Sequence, residues 1–381
     1  MAHEVVVLGG GVGGTLLANL LARRLRPAEA HVIVVDASGR HVYQPGWLYV
    51  PFGEEKPEKL VRPERRLLDR RVDLIVQPAR RIEPRRQQVI LADGSTVAYD
   101  TLVIATGAVL APDAVSGYTA GAHHFYSEEA ARALGETLAR FTGGRLVIGV
   151  ADIPYRCPPA PLEFAFKVEE YLTRRGLRDR TEIIYLSPIN RVFTIESVSA
   201  FVAPLLEQRG IRSETFFNVE RVDAERQVVT SLEGAEIAYD LLVLIPPHRG
   251  AAVVRESGLG DAQGWLPTDR ATLQVKGYEN IYGLGDATDV PVSKSGSAAH
   301  FEAKALAERL TALIRTGRPP ATNGTYDGSV LCFLETGYGQ ASQLAFDFTH
   351  PPTPPAPNAF YHYEKLLFNR LYWHIVPRGL V

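Results

Sequence analysis

Cysteine is nearly absent from this chain, which carries only Cys157 and Cys332 among 381 residues. Two thiols are too few for the disulfide framework of a small secreted domain or for a structural zinc cluster. Each is either incidental or chemically employed. A surplus of one charge is also missing: 41 Lys and Arg against 43 Asp and Glu leave a formal net charge of −2. That balance removes the long-range attraction on which nucleic-acid binders and polybasic membrane proteins depend. Long apolar runs are lacking as well. Segments such as Leu102–Ala105 and Leu241–Ile245 have the length of strands, far short of the roughly 18 residues that suggest a membrane-spanning helix. Contact with a bilayer is therefore expected to be peripheral. The first strand, Glu4–Leu8, starts so early that no secretory signal peptide is expected. The expected location is the cytoplasm or the face of a prokaryotic inner membrane.

What is present is an internal echo. At an offset of 140, Val5–Gly9 aligns with Arg145–Gly149, the turn Asp93-Gly94-Ser95 with Glu233-Gly234-Ala235, and Tyr99–Ile104 with Tyr239–Leu244. Three matches in one order argue for two copies of a βαβ-rich unit, and the chain is long enough for two or three domains. After the second copy come a Gly-rich strand and turn (Ile281–Asp286), a helix (Ser297–Arg315), an extended Pro-rich spacer (Pro351–Pro357) and a last helix (Ala359–Val376) stopped by Pro377.

Gly9-Gly10-Gly11-Val12-Gly13-Gly14 follows a buried-type strand and opens a helix expected over Thr15–Leu25. Gly9, Gly11 and Gly14 have the G-x-G-x-x-G spacing that lets the backbone turn tightly, approach a pyrophosphate and pack a helix on the sheet. Asp36, at the end of the strand His31–Val35, can accept hydrogen bonds from a ribose diol, and an acid there argues against a 2′-phosphate. At the offset of 140 these glycines map to Gly149, Ala151 and Pro154. Alanine obstructs close approach and proline has no N–H, so both weaken phosphate binding. The next strand, Glu182–Leu186, ends in Ser187-Pro188 without a carboxylate. The second site is expected to have lost NAD(P)H. Its loop instead reads Tyr155-Arg156-Cys157-Pro158-Pro159-Ala160-Pro161-Leu162-Glu163.

The segment Ala105-Thr106-Gly107 and the late Gly283-Leu284-Gly285-Asp286 resemble the two-dinucleotide-binding-domain flavoproteins. The Cys157-Pro158-Pro159 loop, with Cys332 in Val330–Gly337, resembles the sulfide:quinone oxidoreductase and flavocytochrome c sulfide dehydrogenase family. That resemblance implies an α/β fold of two Rossmann-like domains in tandem and a C-terminal α/β segment ending in an amphipathic helix. Its expected boundaries are 1–110 with 270–320 for FAD, 111–269 for the degenerate second unit, and 321–381 for the C-terminal part. FAD would be held by Gly9, Gly11, Gly14, Asp36, Pro45, Ala79, Thr106, Gly107, Gly285, Asp286 and Lys294. Cys157 and Cys332 would form the redox pair that meets sulfide, with a thiolate favoured by nearby positive potential or a helix N-terminus. Glu163 would handle protons if burial raises its pKa, and Lys294 would stabilise negative charge on the reduced flavin. Many relatives carry a third cysteine in a segment like His123–Glu128, where this chain has Tyr126.

The tail Phe360–Val376 is aromatic and apolar, with Lys365, Arg370 and Arg378 as expected polar anchors at a membrane interface. The resemblance implies that it reaches a quinone, with Phe368, Tyr372 and Trp373 around the ring. Expected partners are a small sulfur substrate, a quinone and the membrane surface, with a second copy of the chain left open. Three alternatives stay open: a type II NADH:quinone oxidoreductase, a cytochrome-coupled sulfide dehydrogenase, and a non-catalytic flavin and thiol sensor.

Overall fold

The computed structural model describes residues 2–320 and 324–380, so the expected boundary at 321 falls outside the described residues. The first sheet is parallel, in the order 281–283, 101–104, 3–8, 30–36, 72–76. Its central strands are apolar on both faces because both are covered: two helices bring Leu16, Leu17, Leu306 and Leu310 to one face, and an antiparallel meander brings Ile82, Val89 and Leu91 to the other. Val5, Val6 and Val7 are fully buried, as are Leu102, Val103 and Ile104. Helix Val12–Arg24 runs back along this sheet and packs against helix Gly296–Thr316. The late strand Ile281–Gly283 pairs with Thr101–Ile104, so the chain returns to the first unit after completing the second.

The second sheet repeats the first in the order 211–214, 181–186, 144–150, 241–245. A three-stranded antiparallel meander accompanies each sheet, and the two meanders superpose in sequence at the offset of 140. Strands Ala79–Glu83, Gln88–Leu91 and Thr96–Ala98 match Val219–Asp223, Val228–Ser231 and Glu236–Ala238. Even the unusual backbone repeats: Gln87 and Gln227 have φ of 51° and 53°, and Gly94 and Gly234 have 87° and 86°.

The offset does not hold at the first strand. Leu8 pairs with Ile104, whereas Gly149 pairs with Leu244. The counterpart of Leu8 is therefore Gly149, an offset of 141. Gly9, Gly11 and Gly14 correspond to Val150, Asp152 and Tyr155, not to Gly149, Ala151 and Pro154. One residue separates the two alignments because the repeats differ in length between strand and meander. The corrected register removes every glycine of the motif.

Beyond the second return lies an antiparallel hairpin, Val330–Gly337 with Gln340–Phe346, and then the C-terminal helix Ala359–Ile375. Pro351–Pro357 has no regular structure, as expected of a Pro-rich spacer. Asn358 caps the helix by accepting the Tyr361 N–H at 3.2 Å.

Candidate functional site

The glycine loop is built for close approach. Gly9 has φ of +114°, and a Cβ there would lie 2.4 Å from the Ala105 carbonyl oxygen. A Cβ on Gly14 would lie 2.0 Å from the Gly9 carbonyl, so only glycine lets this helix start against the strand. Gly11 differs: a Cβ there meets nothing within 4 Å, leaving open space at the helix N-terminus where a pyrophosphate would sit. Asp36 accepts the Gly10 N–H at 2.8 Å and the Ser38 N–H at 2.9 Å, which fixes its carboxylate at the loop edge. Thr106 Oγ1 is buried without a protein partner, and Gly107 has φ of +66°. Open space beside Gly11, an orphaned hydroxyl and a fixed carboxylate fit a bound dinucleotide. Ala79 is half-buried at the start of the first meander, and Pro45 is exposed at the head of the 3₁₀ helix Gln44–Phe52.

Gly285, at φ of +69°, turns the late strand so that Asp286 sits beside Lys294 and Arg156. Burial pushes the Asp286 carboxyl up, and those two cations oppose the shift. Lys294 Nζ donates to the carbonyls of Asp286 at 3.1 Å and Thr288 at 2.7 Å and lies 4.0 Å from the Trp265 ring centre. Lys294 braces the Asp286 turn with two of its three donors.

The same segment brings the cysteines together. The Cys157 N–H donates to the Lys294 carbonyl at 2.7 Å, the Leu331 N–H donates to Ser297 Oγ at 2.8 Å, and the Ser295 hydroxyl lies near the Cys332 thiol. Cys157 adopts φ of +48°, an uncommon value for a non-glycine residue, just ahead of helix Ala160–Arg174. Both cysteines are free thiols. The expectation of low thiol pKa values is overturned. Burial pushes Cys332 up to about 12 and raises Cys157 further, with Glu163 adding to both. Lys365, the Ala160 N–H and the Ser295 hydroxyl pull the other way without prevailing.

Glu163 is 3 % exposed, but it is not a lone acid. It accepts the Glu335 N–H at 2.8 Å and forms an ion pair with Lys365 of the C-terminal helix. Burial opposes the Lys365 charge, yet Glu163, Tyr49 and Glu335 outweigh it and keep the ammonium protonated. Sequence reasoning misread Lys365 as an interface anchor; its one signal was rarity, since only seven of the 41 basic residues are lysine. Tyr126, where a third sulfur was sought, donates its hydroxyl to the Arg156 carbonyl at 2.9 Å and so braces the Cys157 loop.

Where a nicotinamide nucleotide would enter the second unit, the cavity measures about 10 Å³ and is lined by Val150, Tyr155, Tyr185 and Phe193 among others. Small-molecule sites usually occupy several hundred Å³.

The quinone candidates separate. Tyr372 and Trp373 are buried, the former bonded to His41 Nε2 at 2.8 Å and the latter under the Arg62 guanidinium at 5.0 Å. Phe368 is on the open face with Phe360, Tyr363, Leu367 and Leu371, which are 38 % to 70 % exposed. The docked face of this helix carries Lys365, and its free face combines these apolar side chains with the exposed Arg370 and His374. No helix among the described residues is long and apolar enough to cross a membrane.

Two Rossmann-like units, one keeping its dinucleotide loop and one having lost it, with two cysteines between them, define a flavin-linked oxidoreductase. The chain belongs to the pyridine nucleotide-disulphide oxidoreductase family, whose model matches residues 3–303, and its cofactor is FAD. It is 27 % identical over 395 residues to the mitochondrial sulfide:quinone oxidoreductase of Mus musculus, covering 99 % of this chain and 87 % of that one. It is 25 % identical over 409 residues to the sulfide-quinone reductase of Aquifex aeolicus, covering 100 % and 92 %. The X-ray structure of the sulfide:quinone oxidoreductase from Aquifex aeolicus matches with a TM-score of 0.86 at 24 % identity, over 99 % of this chain and 92 % of that one.

Proposed function

We propose that this protein oxidises sulfide at Cys157 and Cys332 and passes the electrons through FAD to a membrane quinone. The observation that carries the reading is the pinning of both cysteine segments to residues 294–297 beside the Asp286 turn. Bound FAD would supply a two-electron acceptor that also hands electrons on. Gly9, Gly11, Gly14, Asp36, Thr106, Gly107, Gly285 and Asp286 would hold it, a reading supported by the open space at Gly11 and the orphaned Thr106 hydroxyl, with Pro45 and Ala79 assigned by resemblance.

The chemistry starts from the oxidised pair. Hydrosulfide attacks one sulfur of a Cys157–Cys332 disulfide: a new S–S bond forms to that cysteine, and the other departs as a thiolate. A thiolate leaving on Cys157 would sit near the Ala160 N–H, which here donates to the Cys157 carbonyl at 2.9 Å, and one leaving on Cys332 would sit near the Ser295 hydroxyl. Lys365 supplies positive potential to both. Because burial raises both thiols, the thiolate is a high-energy species, ready to re-form a bond to sulfur rather than to persist.

The C-terminal helix supports the acceptor side of the reading. Five exposed apolar side chains, Phe360, Tyr363, Leu367, Phe368 and Leu371, form one face. Immersing them at roughly 1.5 kcal/mol each, after a discount for partial burial, suffices for reversible attachment to a bilayer. Phe368 would then be the quinone contact, with Tyr372 and Trp373 supporting it from inside.

The test is anaerobic. The yellow holoenzyme is mixed separately with sulfide and with NADH, and a soluble quinone analogue is then added. Bleaching by sulfide and recolouring by quinone are expected; bleaching by NADH alone would overturn the proposal.

A further inference from the structure

A continuous set of titratable side chains leads from the cysteine pocket to the C-terminal helix. Glu163, on helix Ala160–Arg174, pairs with Lys365. Lys365 stands beside Tyr49, its ammonium 5.5 Å from the centre of that ring. Tyr49 in turn donates its hydroxyl to Glu335 Oε1 at 3.2 Å. Glu335 meets His362 Nδ1 at 3.2 Å through Oε1 and at 3.0 Å through Oε2. The set begins buried and ends at solvent: Glu163, Lys365 and Glu335 are 3 %, 7 % and 2 % exposed, whereas the His362 side chain is 21 % exposed. His362 stands one turn before Lys365 on the same helix.

Four elements contribute. Facing the set are the Cys157 and Cys332 thiols at its inner end, the buried Tyr43 phenol beside Tyr49 and Lys365, and, beyond the Tyr49 ring, Lys167 at 5.0 Å from the ring centre, paired with Glu54. Within it stand two carboxylates, one ammonium, one phenol and one imidazole. A charge arriving at one end finds a partner at every step, which a buried structural ion pair does not require.

We propose that Glu163, Lys365, Tyr49, Glu335 and His362 form a proton path between the cysteine pocket and the face of the C-terminal helix. The inference rests on the sulfide-to-quinone reading above. Hydrosulfide loses one proton and two electrons as its sulfur reaches the oxidation level of a persulfide sulfane atom. The quinone takes up those two electrons and two protons. The path carries the proton released at the cysteines outward along Glu163, Lys365, Tyr49 and Glu335, and His362 draws the second proton from water. His362 and Glu335 act through the rest of the path and are positioning residues for proton delivery.

The test starts from holoenzyme reduced with dithionite, so that it does not depend on sulfide, and follows reoxidation by a short-chain ubiquinone analogue. H362A should reoxidise about tenfold more slowly, less than the hundredfold or more of a direct general acid, and added imidazole should restore the rate. H362Q keeps a hydrogen-bond donor to Glu335 but cannot pass a proton, so it should be equally slow, and its rate should lose the wild-type pH dependence. E335Q should match it. Reoxidation of H362Q at the wild-type rate, or a loss in H362A that imidazole leaves unchanged, overturns the path. Failure of the proposed function shows elsewhere, as wild-type holoenzyme that sulfide does not bleach.

Discussion

Replacing Lys365 with Met tests the most consequential contact that the structure adds. The Lys365 side chain is 9 % exposed and that of its partner Glu163 is 4 % exposed. Met is close to lysine in volume, so the change removes charge rather than packing. It leaves Glu163 with one remaining protein donor, the Glu335 N–H. Breaking a buried pair from one side costs about 3–5 kcal/mol, because the surviving charge stays desolvated. With an unfolding entropy of about 2.1 cal/mol/K per residue, a chain of 381 residues unfolding as one unit would melt ~5 °C lower. The double variant E163Q/K365M removes both charges and should recover most of that loss. Melting of the holoprotein, followed by calorimetry and by release of flavin fluorescence, reads both variants. K365M should also slow alkylation of the reduced thiols by iodoacetamide at fixed pH, since Lys365 lowers the pKa of both cysteines. A K365M protein that melts within 1 °C of wild type, by a measure resolving about 0.5 kcal/mol, would refute the view that this pair holds the C-terminal helix on the site.

Other outcomes follow from single positions. Gly11→Ala should fold with an unchanged melting temperature in the absence of FAD and bind FAD at least tenfold more weakly, as titration of the apoprotein would show, because its Cβ occupies only the open space. Gly14→Ala should fail to fold, because its Cβ would lie 2.0 Å from the Gly9 carbonyl; recovery of soluble G14A with bound FAD would contradict the geometry. The triple change of Leu367, Phe368 and Leu371 to Asp should abolish sedimentation with lipid vesicles while leaving the fold intact, since all three are 38 % to 56 % exposed. His248 is fully buried, and burial lowers its pKa to about 3. The folded chain therefore keeps it neutral while the unfolded chain protonates it below about 6.5. Its contribution to stability is complete above that value and is lost as the pH falls from there toward 3. His248→Leu should flatten the acid limb of a plot of melting temperature against pH, and an unchanged limb would assign the acid sensitivity to other groups.

Local patterns carried much of the architecture. The repeat was legible because each half needs the same meander, and Gln87 with Gln227 and Gly94 with Gly234 preserve its turns. The dinucleotide loop was legible because only glycine fits beneath the close backbone at positions 9 and 14, with Gly11 at fixed spacing between them. The one-residue error at Val150, Asp152 and Tyr155 arose because a sequence offset cannot locate an insertion, whereas ladder pairing can. The C-terminal helix was found within one residue of its end, but which of its faces docks was not. Tyr372 and Trp373 look as suited to an interface as Phe368 until His41, Tyr43 and Arg62 are seen to enclose them.

The sequence by itself determined the doubled Rossmann unit, the surviving and the lost nucleotide loops, and the two cysteines, because each depends on residue type at short range. Only the tertiary structure decided how those cysteines behave. Cys157 and Cys332 are 175 residues apart, and the 294–297 segment joins them. Glu163 meets Lys365 across 202 positions of chain. Burial and ionic partners act through space, so the raised thiols and the compensated carboxylate of this site exist only once the chain has folded.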